Sequence, residues 1–413
     1  MTRRVVITGL GLITPLGNDV TSNWEALVAG RSGIGTITLF DTSAYEFPIA
    51  GEVKDFEPAD YVEAKLLRRI DRSTVFALAA SQRALADSGI DMSAENARRV
   101  GVVIGTGIGS AQLIVEQAAV LAEKGPRRVS PFLISHMLPD TATGLVAIQT
   151  GARGPNFAVT AACATGGATT GEAAEIIARG DCEVIIAGGY EAPLTPVYYA
   201  GFNAMKALAT AEDPTKAVRP FDATRNGFIL GEGAGILIME ELEHALARGA
   251  HIYAEFIAAG TSNDAFDMVA AAEDGHGIAQ AMQDALARAG LGVEAIDYIN
   301  AHGTSTPLND RVETTAIRQV FGEHANGLMV SSTKSMHGHM MGAAGAVEAA
   351  IAALVCERGI VPPTINYVNP DPACDLDVVP NEARRATVRY AMSTSVGLGG
   401  HNSAVIVKRW EGS

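Results

Sequence analysis

The chain has 413 residues and a formal charge of −15, with 48% hydrophobic residues against 19% charged. That length exceeds one ordinary core, so two core units or a large duplicated α/β body is expected, and the apolar share excludes a disordered chain. The acidic balance, with no run of Lys and Arg, excludes nucleic acid as a partner.

The start, MTRRVVITGLGLITPLG, reads as a strand and a turn, without the apolar core and cleavage site of a signal peptide. No apolar run approaches about 20 residues, so no membrane span is expected. Short apolar strands bounded by glycine then alternate with Ala-rich helices: RRVVITGLG (3–11), VGVVIGTGIG (100–109), CEVIIAGGY (182–190) and GAGILIMEEL (233–242). The alternation predicts an α/β fold with buried, largely parallel strands. Four cysteines, Cys163, Cys182, Cys356 and Cys374, form no CxxC pattern. A cytoplasmic protein with free thiols is expected.

A weak internal repeat runs through the chain. In the first half a strand, FAVTAA (157–162), meets a turn at Cys163. A Gly/Ala-rich helix starting near Ala164 follows and ends in Ala-Arg-Gly at 178–180. In the second half a strand, LMVSSTKS (328–335), meets a turn around His339. A helix from Gly342 to Val355 follows and ends in Glu-Arg-Gly at 357–359. VGVVIGTGIG pairs in the same way with IDYINAHGTS (296–305). Arg in the last turn and Gly after it suit a helix C-terminus. Two similar halves follow, residues 1–250 and 251–413, the first closed by the charged helix ELEHALARGA (241–250).

Four motifs carry chemistry, each where a strand should end. In VTAACATGG (159–167), Cys163 stands before a helix N-terminus, whose dipole and free N–H groups favour thiolate. A buried structural cysteine fits the same Ala-rich stretch. In NAHGTSTPLND (300–310), His302 can donate a hydrogen bond or move a proton beside the hydroxyls of Thr304, Ser305 and Thr306; a structural turn histidine is the alternative. SSTKSMHGHMMGAAGAVE (331–348) holds Lys334, His337, His339 and Glu348, and a buried Lys–Glu pair there would orient the histidine face. Two histidines without a third ligand of suitable spacing argue against metal. STSVGLGGHNSAVIV (393–407) is a glycine loop between strands that lets backbone N–H groups reach a ligand, yet it matches no phosphate-loop pattern. One Cys with two His permits a cysteine hydrolase, and equally a decarboxylative condensation in which the second imidazole handles developing charge.

These motifs, with GFNAMKALAT (201–210) and RPFDATRNGFILGEGAG (219–235), resemble the β-ketoacyl-acyl carrier protein synthases, above all the elongating type II enzymes of fatty acid synthesis. The resemblance covers essentially the whole chain. It implies a thiolase fold, two βαβαβαββ halves in a five-layered αβαβα arrangement, and a homodimer. It implies an acyltransferase working by decarboxylative Claisen condensation, with no cofactor beyond the phosphopantetheine arm of acyl carrier protein. Cys163 would carry the acyl group, and His302 and His339 would assist decarboxylation of the malonyl thioester. Lys334 and Glu348 would support His339 by charge and hydrogen bonding. The backbone N–H groups of Cys163 and Leu398 would form the oxyanion hole. Thr304 and Thr306 would bind the phosphopantetheine arm, and Ile108 and Phe202 would line the acyl channel. Lys65, Arg68 and Arg69, with Arg127 and Arg128, would dock acyl carrier protein; a solvated charged face is the alternative for either cluster. In some relatives a monovalent cation sits near the positions of Asn300, Glu348 and Ser393.

The chain departs from the family pattern in four places. Leu398 stands where relatives carry a gating Phe. His337 and His401 stand where Thr is usual, bringing two further imidazoles close to the site. Asp267 and Val269 replace an H-x-T pattern. A specialised ketosynthase of polyketide or unusual acyl-chain synthesis therefore stays open. A thiolase would need a second catalytic Cys in the glycine loop, which Cys374 does not supply, and a chain-length-factor-like subunit would lack Cys163.

Overall fold

The computed structural model of the chain describes residues 3–412. The first half runs β1 (Val5–Ile13), α1 (Arg72–Ser88), β2 (Val100–Gly105), α2 (Thr141–Thr150), β3 (Asn156–Phe157), α3 (Thr165–Ala178), β4 (Val184–Glu191) and β5 (Gly233–Glu241). The second half repeats the series: β6 (Ala254–Asn263), α4 (His276–Ala289), β7 (Tyr298–Asn300), α5 (Pro307–Phe321), β8 (Met329–Ser331), α6 (Ala344–Arg358), β9 (Tyr390–Gly397) and β10 (His401–Arg409). Strand order is β3-β2-β4-β5-β1 in the first half and β6-β10-β9-β7-β8 in the second. The halves are therefore βαβαβαββ units of one topology. They join edge to edge where Val5–Ile7 of β1 pairs antiparallel with Ala254–Phe256 of β6.

Five layers result. Helices α1 and α2 cover the outer side of the first half-sheet, α4 and α5 that of the second, and α3 and α6 pack between, touching strands of both halves. Helix α6 is buried from Ala344 to Cys356, which is why its sequence is apolar on every side. This is the thiolase arrangement that the resemblance implies. The central helices cross at glycine, because a Cβ on Gly166 would lie 2.3 Å from the backbone nitrogen of Ala346. No helix among the described residues is long and apolar enough to cross a membrane.

The sheet is mixed, not largely parallel. In each half only the β2–β3 and β2–β4 pairs, or β7–β8 and β7–β9, run parallel, and the rest run antiparallel. Strands covered by helices on both faces read as apolar runs whatever their direction. The strand expected at 157–162 stops at Phe157, and beyond it side-chain bonds replace the ladder: the Ala161 N–H donates to the Thr165 hydroxyl at 2.8 Å, and the Thr160 hydroxyl donates to the Thr106 carbonyl at 3.0 Å. The strand expected at 328–335 likewise ends at Ser331, and Lys334–His337 forms a helical turn. The helix expected at 241–250 is shorter, Leu242–Ala247.

Candidate active site

The two central helices begin in the same way. A tight turn, Ala162–Ala164, leads into α3, and another, Met341–Ala343, leads into α6. Ala162 and Met341 occupy equivalent places, and both hold left-handed backbone, at φ 47° and 46°. For a residue with a Cβ this conformation costs about 1–2 kcal/mol and persists only where the surroundings enforce it. Here the turn lifts Cys163 out of the sheet layer ahead of α3 and sets it against Met341, sulfur to sulfur at 3.7 Å.

A cavity of about 180 Å³ opens over this sulfur. Its walls include Cys163, His302, His339, Thr304, Thr306, Phe202, Phe228, Met341 and Leu398. The imidazoles of His302 and His339 stand edge to face with centroids 5.2 Å apart, and Phe228 backs His339 at 5.6 Å. Neither histidine Nδ1 has a hydrogen-bond partner among the described residues. Backbone contacts position both residues. His302 and Gly303 donate their N–H groups to the two oxygens of buried Glu313, at 2.7 and 2.8 Å, and His339 donates to the Ile229 carbonyl at 2.7 Å.

Charge in the site is set by one buried pair. The Lys334 ammonium hydrogen-bonds the Glu348 carboxylate, and both side chains are fully buried. Such a pair is tolerated because each charge neutralises the other's desolvation. Burial, reinforced by the Lys334 charge, holds His302 and His339 well below the ordinary histidine value, so both rings are neutral. Burial pushes Glu348 up to about 7 although Lys334 pulls it down. No hydrogen bond runs from this pair to His339 among the described residues, and Lys334 acts on that ring through its charge.

Cys163 reverses one expectation. Burial pushes its thiol up to about 12, outweighing the Lys334 charge and the backbone N–H groups of Leu398 and of Cys163 itself, which pull it down. The resting group is a thiol. Those N–H groups converge because the turn after β9 is pressed against the Cys163 turn. A Cβ on Gly397 would lie 3.0 Å from the nitrogen of Cys163. The loop is fastened from behind by Asn402 donating to Asp264 at 2.7 Å and by Gly399 donating to the Met268 carbonyl at 2.9 Å.

The other residues singled out in the sequence divide. The Thr304 and Thr306 hydroxyls lie 3.0 Å apart on the cavity wall, joined there by Phe202. Ile108 is not on that wall; its N–H reaches the Glu191 carboxylate at 3.3 Å. The two histidine departures do not enter the cavity either. His337 is buried between the Gly338 carbonyl (2.8 Å) and the Thr333 hydroxyl (3.1 Å), and His401 is exposed at the start of β10. Val269 does line the mouth, following exposed Phe266 and Met268, while Asp267 turns its carboxylate back to cap Val269 and Ala270. Asn300 and Ser393 are ladder partners on β7 and β9, and Glu348 keeps one buried oxygen without a partner among the described residues. On the surface Lys65, Arg68, Arg127 and Arg128 are exposed, and the Arg69 guanidinium lies 3.7 Å over the Phe132 ring, linking the two basic clusters.

Glu313, Phe228 and Met341 escaped the sequence reading. For Met341 a signal existed: the repeat that pairs 178–180 with 357–359 also pairs Ala162, beside Cys163, with Met341.

Comparison with known proteins agrees with this geometry. The beta-ketoacyl synthase N-terminal domain family matches residues 2–245, and the C-terminal domain family matches residues 253–368. A 3-oxoacyl-[acyl-carrier-protein] synthase 2 of Staphylococcus aureus is 49% identical over 409 residues, covering 99% of each chain. One from Synechocystis sp. is 47% identical over 410 residues, again covering 99% of each. Among solved structures, the ishigamide ketosynthase/chain length factor superposes with a TM-score of 0.93 at 37% identity, over 99% of this chain and 100% of the other. A type II polyketide ketosynthase in complex with its acyl carrier protein gives 0.92 at 34% identity, with the same coverage. With both domain families matched in order and identity this high over the full length, the chain belongs to the beta-ketoacyl synthase family.

Proposed function

We propose that the protein is a 3-oxoacyl-[acyl-carrier-protein] synthase that elongates an acyl chain by two carbons. The carrying observation is the convergence of one thiol, two neutral imidazoles and two backbone N–H groups on a single cavity. The Cys163 sulfur attacks the acyl thioester, its proton passes to a neutral imidazole, and the carrier thiol leaves with a proton. Malonyl thioester then enters past Thr304 and Thr306. The bond from its carboxyl carbon to C2 breaks, CO₂ departs, and the electron pair becomes an enolate whose oxygen accepts hydrogen bonds from His302 and His339. Carbon C2 attacks the acyl carbon on Cys163. The N–H groups of Cys163 and Leu398 hold the oxyanion, which collapses to the 3-oxoacyl thioester as the C–S bond to Cys163 breaks, and the expelled thiolate takes up a proton from solvent.

Neutral rings suit this step, since each can donate without bringing a full charge into a buried site. Asn300, Glu348 and Ser393 offer oxygens that would hold a monovalent cation, which would brace the strand ends below His302. Acyl carrier protein supplies both substrates through the basic face around Arg69, as a related ketosynthase was seen with its carrier. A homodimer would cover the exposed edge strand β3 with the exposed Ile114, Leu121 and Ile134. The fatty acid reading is preferred over a polyketide one because identity is 49% to a 3-oxoacyl-[acyl-carrier-protein] synthase 2 and 34% to the type II polyketide ketosynthase.

The test is acylation from labelled acyl-acyl carrier protein. Wild type should take up label at Cys163, and Cys163→Ala should take up none. Label on another cysteine of the variant would overturn the assignment.

A further inference from the structure

We infer that Met341 is a positioning residue for the nucleophile: its thioether accepts the S–H of Cys163 and so holds the resting group as a thiol turned toward α6. This rests on the reading of Cys163 as the acyl carrier and adds to it a residue from the opposite half of the molecule.

Three observations carry it. The sulfurs are 3.7 Å apart, both residues are more than nine-tenths buried, and both line the same cavity. Met341 is also held where it is. Its left-handed backbone is enforced by the next residue, Gly342, whose N–H donates at 3.0 Å to Glu191. That carboxylate also takes the Thr106 hydroxyl and the Gly107 N–H, each at 2.7 Å, so it ties the loop after β2 to the tip of α6. Finally, the contact gives the S–H a partner: its single proton is directed at the soft acceptor beside it.

The nearby backbone N–H groups of Leu398 and Cys163 favour thiolate, and the bond donated to Met341 favours thiol. The charged groups acting on the sulfur are Lys334, which pulls its pKa down, and Glu191, which pushes it up. Met341 thus opposes premature ionisation in the empty enzyme. Once Cys163 is acylated it has no proton to donate, and the thioether becomes part of the apolar wall beside the acyl carbon.

The test is alkylation of the substrate-free enzyme by iodoacetamide across the neutral and alkaline range, read by peptide mass at Cys163. The variant is Met341→Leu, which keeps the volume and removes the acceptor. Alkylation at neutral pH should rise about two- to fivefold, with the profile moved to lower pH. Met341→Gln, whose amide oxygen restores an acceptor, should return the profile toward wild type. An unchanged profile in a folded Leu variant, or equal profiles for Leu and Gln, would overturn the proposal. Failure of wild type to acylate at Cys163 would instead sink the functional reading, so the two failures are distinguishable.

Discussion

At the scale of single residues, Lys334 does the most for the chemistry without lining the cavity. Its charge is balanced by Glu348, and its field helps keep His302 and His339 neutral. Lys334→Met would leave the Glu348 carboxylate buried and unpaired, and breaking such a pair costs about 3–5 kcal/mol. The variant should therefore unfold at markedly lower denaturant concentration. The sign of its pH dependence follows from linkage. Glu348 already titrates above its unfolded value, at about 7, so the native state binds the extra proton as pH falls below that point. Without Lys334 its pKa rises further, and the variant should regain part of its stability on acidification. The histidines move the other way in consequence. Freed from the ammonium, they become more basic, so the acid limb of the acylation rate should shift to higher pH. Equilibrium unfolding and a pH–rate profile measure both effects, and an unmoved acid limb would show that Lys334 does not act on the imidazoles.

At the scale of elements, the crossing of α3 and α6 makes the site. Cys163 and Met341 lie 178 residues apart in sequence and meet only because glycines let the two helix starts approach. A Cβ on Gly345 would fall 2.6 Å from the backbone nitrogen of Gly167, and a backbone atom cannot step aside as a side-chain tip can. Gly345→Ala should cost at least about 1–3 kcal/mol of overpacking and separate the two sulfurs. Gly144→Ala on α2, where a Cβ meets nothing within 4 Å, should be neutral or stabilising by about 1 kcal/mol. Denaturant midpoints compare the pair directly, and equal midpoints would show that the crossing tolerates a methyl group.

The same crossing marks how far the sequence could be read. Cys163, His302 and His339 announced themselves because strand ends with small neighbours are local features, and the repeat revealed the two halves. Strand direction was hidden because double-sided burial erases the alternation that separates antiparallel from parallel ladders. The raised Cys163 value, the Glu313 anchor under His302 and the Met341 contact were hidden because each depends on what another element brings within a few ångströms. The setting of Ile108 was hidden for the same reason: its backbone N–H is held by Glu191, which another strand brings to it.

At the scale of the whole molecule, the electrostatic problem is how a chain of charge −15 receives an acidic carrier protein. Summed charge repels such a partner at long range, but fields between exposed groups fade beyond a Debye length of about 8–10 Å in physiological salt. Within that distance only local charge counts, and the face carrying Lys65, Arg68, Arg127 and Arg128 is locally basic. Arg69 is a poor probe because it packs on Phe132 and its loss would disturb the surface as well as the charge. The exposed pair Arg127 and Arg128 is the better one. Reversing both to Glu should raise KM for acyl-acyl carrier protein at least about tenfold at low salt, with kcat unchanged at saturation, since rim charges govern encounter more than chemistry. Added salt should narrow the gap from both sides, weakening wild type and relieving repulsion in the variant. Arg385→Glu, on an exposed short strand of the second half, supplies a control with its own change of two charges. If both substitutions raise KM equally per charge, the carrier senses only net charge. If neither does, the basic face is an ordinary solvated surface and the carrier docks elsewhere.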